Sequence, residues 1–204
     1  RLDSFPMTSE MVISENRGRD ILPFLRIANR LLDEGVGVVL KLHTKRSTHR
    51  NDGWKWRQEL TSRLIDRPRG QQLMTAFLQQ PELGMAAPEG HIQPLDFYWG
   101  ANADTVDYLA ARIGIEAARV ESDSFISGSM FWVRLEALRP LLDAHLDESE
   151  FEPESGQLDG TFAHAIERIF GLCVNAAGYR IATAASLCGD PDPPFTPYPY
   201  AKRS

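Results

Sequence analysis

The sequence predicts an α/β domain built in layers around a mixed, mainly parallel sheet, and three observations predict it. Short β-favouring runs alternate with stretches of helical apolar period from about residue 11 to residue 184, the pattern of strands covered by helices. The run Val36 to Leu42 is continuously β-favouring, as in strands enclosed on both faces. The 204 residues, 43% apolar and 25% charged, suit one domain with a full core and no staples.

Taken in order, Met11 to Ser14 reads as a short strand. A helix from Asp20 to about Glu34 carries Pro23 in its first turn and Leu22, Leu25, Ala28 and Leu32 on one face, with Gly35 as its stop. The strand Val36 to Leu42 follows, then a polar loop from Thr44 to Gly53. Helices are expected near Trp54 to Ile65 and Gly70 to Leu78, and a strand at Leu83 to Ala87 ended by Pro88. A loop from His91 to Gly100 leads into a helix near Ala103 to Ile113. Phe125 to Arg134 holds a Gly128-Ser129 turn and then the strand-like Met130 to Val133. A short helical stretch near Pro140 precedes an acidic loop, Asp147 to Gly156. The last helix, Asp159 to Cys173, turns Phe162, Ile166, Ile169 and Phe170 inward, and Tyr179 to Ala184 is a strand. Residues 190–204 are proline-rich and expected to be irregular.

Charge is unevenly spread. Residues 1–70 hold 14 of the 22 Lys and Arg but 9 of the 28 Asp and Glu, a net +5 in a chain of net charge -6. A basic half in an acidic chain points to a local anionic ligand or a solvated basic face. Overall acidity argues against nucleic acid, which relies on non-specific phosphate attraction. Two cysteines, Cys173 and Cys188, make no disulfide framework and no zinc spacing. With no apolar run near the ~18 residues of a membrane helix and no signal-peptide pattern, a reduced cytoplasmic setting is the plain reading.

Five segments can carry chemistry. In Glu15 to Asp20, Asn16, Arg17, Gly18, Arg19 and Asp20 form a turn at a helix start, suited to an anion or simply capped by Asp20. Lys41, His43, Lys45 and Arg46 gather cations and an imidazole at a strand end, where they can stabilise a departing diphosphate; His43 is equally readable as structural. Trp54, Trp56, Phe97, Tyr98 and Trp99 are core aromatics or stacking faces for sugars. Gly128, between Ser127 and Ser129, permits close backbone approach to a ligand or a plain turn into a strand. Asp159, entering a helix with His164 and Arg168 beyond it, is a general base or an N-cap.

The blocks ENRGRDILPFL (15–25), KLHTKRSTHR (41–50), WG-N (99–102), SGSMFWVRLEALRPLL (127–142) and FEPESGQLDGTFAHAIERIF (151–170) together resemble the rhamnan synthesis protein F family over roughly residues 12–185. The resemblance implies a bacterial glycosyltransferase using an activated sugar such as dTDP-rhamnose and a lipid-linked or polysaccharide acceptor at the inner face of the plasma membrane. Its layout is similar to GT-A glycosyltransferases. In that correspondence Asn16 and Gly18 match the early Asn/Gly motif, Lys41 to Lys45 falls where an Asp-x-Asp metal site stands, Gly128 matches the acceptor turn and Asp159 the base. Arg17, Arg19, Lys41, Lys45 and Arg46 would hold the diphosphate. Trp99, Asn102, Ser129, Gln157 and His164 would line the sugar or acceptor pocket.

Two departures qualify the expectation. The stretch at the metal position reads Lys-Leu-His-Thr-Lys, so Mg²⁺ or Mn²⁺ use is in doubt and cations stand in for the metal. Only 14 residues precede Glu15, too few for the N-terminal βαβ unit of a GT-A domain, so the chain reads as the acceptor-side part of a longer protein. A non-catalytic glycan-binding or assembly module of a polysaccharide synthase is the alternative. A phosphate-ester hydrolase is disfavoured, because no paired carboxylates are spaced for two metals.

Overall fold

The computed structural model describes residues 9–44, 53–95 (side chains from 58), 98–116 and 124–193. Helix α1, Ile21–Asp33, buries Ile21, Leu22, Leu25 and Ala28, as the apolar period requires. It stops where Gly35, at φ +82°, lets the Val36 N–H reach back to Leu31 O at 2.9 Å; a left-handed residue closes the last turn this way. The chain then enters β1, Val38–Lys41. Helices α2, Gly53–Ile65, and α3, Arg69–Gln79, follow, then β2, Leu83–Ala87, and β3, Ile92–Pro94. Next come α4, Ala103–Arg112, β4, Ser124–Ile126, β5, Phe131–Arg134, and a short α5, Arg139–Leu142. The long α6, Phe162–Ala176, leads to β6, Arg180–Thr183, and a short α7, Ala184–Leu187.

Among the described residues four strands form one sheet in the order β1-β5-β2-β6, and β3 pairs with β4 in a separate ribbon. Strand β5 runs antiparallel to β1 and β2, whereas β2 and β6 are parallel. Strands β1, β2 and β6 therefore point the same way, and their carboxyl ends share one edge. Alternation along β5 splits the core: Phe131 and Val133 pack with α1, α4 and α6, and Trp132 packs with Leu60, Leu64, Leu73 and Phe77 of α2 and α3. The result is a three-layer α/β/α domain with the sheet in the middle. Burial of each such large side chain stabilises the fold by roughly 1.5–3 kcal/mol. Trp132 also donates its indole N–H to Leu64 O at 2.9 Å, which joins the sheet to α2 by a directional bond.

Helices α1 to α5 lie where expected, α7 is an addition to the expected helices, and several strand expectations do not hold. The sheet is mixed and partly parallel: of the ladders described, the β2–β6 pair is parallel and the others antiparallel. The run Val36 to Leu42 is not an enclosed central strand. Its β1 core lies at the sheet edge with Val38, Val39 and Leu40 half-buried, and the fully buried strand is β2. Met11 to Ser14 is in no ladder among the described residues, and Met11 and Ile13 are 87% and 90% exposed. Strand β3 lies in what reads as loop. Helix α6 begins at Phe162, three residues later than expected, because Thr161 supplies its cap. Lys45, Arg46, Phe97 and residues 194–204 lie outside the described residues. Among the described residues no helix is long and apolar enough to cross a membrane.

Candidate functional site

The carboxyl edge of the sheet gathers around the turn Ser127-Gly128-Ser129, which joins β4 to β5. Gly128 and Ser129 both have positive φ, +86° and +53°, so the chain reverses tightly and faces its carbonyls toward β1. Lys41, the last residue of β1, pairs with Phe131 in the ladder, which brings its side chain beside the turn. Its side chain is 3% exposed. It donates to Ser129 O at 2.7 Å, to Ser129 Oγ at 2.9 Å and to Asp20 Oδ2. An ammonium has three protons to give, and these acceptors use them. The rings of Phe24 and Phe131 lie 5.4 and 5.7 Å from Nζ and shield it further.

His43 Nε2 lies 2.9 Å from Gly128 O and 3.8 Å from Asp20 Oδ2. From the other side, Glu167 of α6 accepts the Gly128 N–H at 3.0 Å. The Ser127 N–H donates to His91 O at 2.9 Å, and Ser127 Oγ lies 3.0 Å from His91 Nδ1. Burial pushes the Asp20 pKa up, but the charges of Lys41 and His43 and the Lys41 hydrogen bond outweigh it and hold the carboxyl below the usual range. Burial, helped by the charge of Arg63, lowers His91 to about 4, so its ring is neutral near pH 7.

Asp20 occupies the N-cap position of α1 but makes no side-chain cap there; its carboxylate is given to Lys41 instead. Just before it, Gly18 and Arg19 turn at φ +65° and +56°. A Cβ on Gly18 would meet Phe151 Cδ1 at 2.6 Å and Leu22 Cβ at 2.7 Å, so glycine is required for the close approach. Arg17 donates to Phe151 O at 2.7 Å and pairs through its backbone with Pro153. Arg19 donates its backbone N–H to Glu154 at 3.1 Å and its guanidinium to Gln157 O. The expected anion-binding turn is thus docked on the loop 151–157.

Asp159 lies at the end of that loop. It accepts from Asn102 Nδ2 at 2.7 Å and from the Ala101 N–H at 3.1 Å, and Arg168 stands 3.5 Å away. Gly100, at φ +56°, leaves room for this carboxylate, since a Cβ there would sit 2.1 Å from Asp159 Oδ2. Burial raises the Asp159 pKa, and the Asn102 bond, the Ala101 N–H and the Arg168 charge more than reverse it. The side chain remains 37% exposed. Thr161 caps α6 in a reciprocal box with His164; Asp159 is left for the loop 99–102. Arg168, buried, also donates to Tyr98 O at 3.0 Å and to His164 O at 2.8 Å.

The model of the family described as rhamnan synthesis protein F matches residues 1–179. The chain belongs to the rhamnan synthesis protein F family. Two relatives, both described as uncharacterized protein WxcX, come from Xanthomonas campestris pv. campestris strains B100 and ATCC 33913. Each is 56% identical over 191 residues, 93% of this chain and 27% of the relative. The chain therefore spans about a quarter of the length of the curated relatives it matches. No solved structure matches it.

In this chain the expected residues fall into three linked groups. Asp20, Lys41, His43, Gly128 and Ser129 meet at the sheet edge. Arg17, Gly18, Arg19 and Gln157 meet where the 17–20 turn docks. Trp99, Asn102, Asp159 and His164 meet at the start of α6, and Asn16 is exposed. The turn 17–20 joins the first two groups, and the segment 157–159 joins the last two. Lys41, expected to hold a diphosphate, donates its protons to Ser129 and Asp20. His164 is likewise engaged in capping.

Glu167 and His91 hold the site together with Ser127 and Arg168, yet carry no local sequence signal as functional residues; they pair across 39 and 36 positions. The donor set does not suit a divalent cation. Lys41 brings an ammonium to this edge, and the neighbouring Asp20 carboxylate is bound to it.

Proposed function

We propose that this chain is the acceptor-side part of a glycosyltransferase domain of GT-A-like layout. It transfers a sugar such as rhamnose from a nucleoside-diphosphate donor, for example dTDP-rhamnose, to a lipid-linked or growing polysaccharide at the inner membrane face. The observation that carries this reading is the convergence of Asp20, Lys41 and His43 on the Gly128-Ser129 turn, at the edge where three strand carboxyl ends meet. Ligand sites of open α/β sheets form at such edges. The half-exposed edge strand β1 is where an N-terminal βαβ unit adds its strand in this reading.

Asp159 is the base. The acceptor hydroxyl gives its proton to the carboxylate while its oxygen attacks the anomeric carbon. The bond from that carbon to the diphosphate breaks, and the nucleoside diphosphate leaves with the electron pair. Asn102, the Ala101 N–H and Arg168 keep the carboxylate ionised and aimed. Lys41 acts by fixing the turn. Arg17, His43 and, next in sequence, Lys45 and Arg46 meet the leaving diphosphate. Trp99 and Ser129 shape the sugar pocket.

A non-catalytic glycan-binding module is the second reading, favoured by the internal saturation of Lys41. The test is release of dTDP from dTDP-rhamnose by the full-length protein with a lipid-linked acceptor. Release that disappears in Asp159→Asn with donor affinity kept supports the transferase. Glycan binding without nucleotide binding refutes it in favour of the module.

A further inference from the structure

Helix α3 carries an open groove of about 330 Å³ on the layer opposite α1, α4 and α6, and no residue of the site above enters it. It starts at Pro68 and runs to Gln80, twelve residues at 1.5 Å rise, or roughly 18 Å. Gln71, Gln72, Thr75, Gln79 and Gln80 recur three and four apart along it, one stripe of a helix. Leu187 of α7 closes the other side, and Pro68 and Ala76 add apolar surface. Among the described residues that line it, none is charged, in a chain one quarter charged. The charged residue of α3, Arg69, is committed to Glu89 at 2.8 Å and Asp190 at 2.6 Å.

The chemistry of this lining selects its ligand. Each glutamine amide both donates and accepts, as sugar hydroxyls do. The Gln80 carbonyl oxygen takes the Arg180 guanidinium, which assigns its amide nitrogen as the donor. Thr75 Oγ1 donates to Gln71 O at 2.9 Å, so its lone pairs serve as acceptors. The apolar pieces match the C–H face of a sugar ring or the methyl of a 6-deoxy sugar. A phosphate or nucleic acid finds no cation among these side chains, and the length suits several linked rings better than one.

We infer that this groove is a second subsite that binds a neutral, linear oligosaccharide, holding a stretch of the polymer away from the reacting edge. That the glycan is rhamnose-rich rests on the proposed function; the groove and its ligand class do not. The test is isothermal titration of the full-length protein with a linear rhamnose tetrasaccharide. The variants are the double Gln72→Ala/Gln79→Ala and, as a steric plug, Thr75→Trp. All three positions are exposed, so melting temperatures are expected to stay within a degree or two of wild type.

The expected result is at least ten-fold weaker glycan binding in both variants with dTDP-rhamnose affinity unchanged. Equal affinity in wild type and variants overturns the inference. So does no glycan binding by wild type, or variants that lose a protein partner and no glycan. If wild type releases no dTDP yet binds the tetrasaccharide in a groove-dependent way, the transferase reading fails and this one stands.

Discussion

Replacing Lys41 by Met keeps most of the volume of the side chain and removes the charge that three acceptors share. The Ser129 carbonyl and hydroxyl, in a residue 3% exposed, then lose their donor; an unsatisfied buried group costs about 1–3 kcal/mol. Asp20, whose side chain is 27% exposed, can be hydrated in part, so its loss is discounted to about 1 kcal/mol. Together the change amounts to ~2–4 kcal/mol, overlapping the range for breaking a buried ion pair. Urea unfolding of the chain reads it directly as a lower midpoint at constant slope. Adding Asp20→Asn to the variant removes the orphaned carboxylate, so the double change is expected to be less harmful than the sum by about 1.5 kcal/mol or more. A loss below about 1 kcal/mol for Lys41→Met, or strict additivity with Asp20→Asn, refutes the view that this ammonium holds the turn.

Three more outcomes follow from the geometry. Gly18→Ala forces a side chain into a left-handed backbone and against Phe151 and Leu22, so a loss of about 2–4 kcal/mol is expected in the same unfolding assay. His91, lowered to about 4 from 6.5, takes up its proton in the unfolded chain first. Stability is therefore expected to fall as pH drops from 6.5 toward 4, by up to roughly 3 kcal/mol, and His91→Gln flattens that slope in pH-dependent melting. Asp20 and Asp159, both depressed, act lower: their contribution is complete above the unfolded carboxylate value and disappears as pH falls through their folded values. For Asp159, transfer is expected to vanish in Asp159→Asn, while Asn102→Ala, which loosens the same loop and keeps the carboxylate, loses no more than about ten-fold. Equal losses in the two variants would make Asp159 a latch for residues 99–102.

Local signals carried the helices, and long-range pairing decided what they missed. The α1 face and the Gly35 stop are written in adjacent residues, and the structure has both. Whether Val36 to Leu42 is central or at an edge depends on partners ninety positions away, and no local letter encodes them. The start of α6 was misplaced because Asp159 is a common cap, whereas Thr161 completes its box with His164 in place of the usual Glu or Gln. The grouping of Asp20, Lys41 and the Gly128 turn was legible as three separate segments. Their contact was not, since residues 88 apart meet only through the antiparallel ladder. Glu167 would have been findable only as a carboxylate on the flank of an otherwise buried helix.

The turn at Gly128 is gripped by Lys41 at the end of β1 and His43 just past it, from α6 by Glu167 and by His91 just before β3. A hinge needs one side left loose, and this one has none. A ligand that displaces Gly128 must move α6, the start of β3 and an edge strand together or leave the turn where it is. The edge is thus a rigid anvil: fitting is left to the segments around it, and the amide protons of Ser127 and Gly128 should exchange among the slowest in the chain.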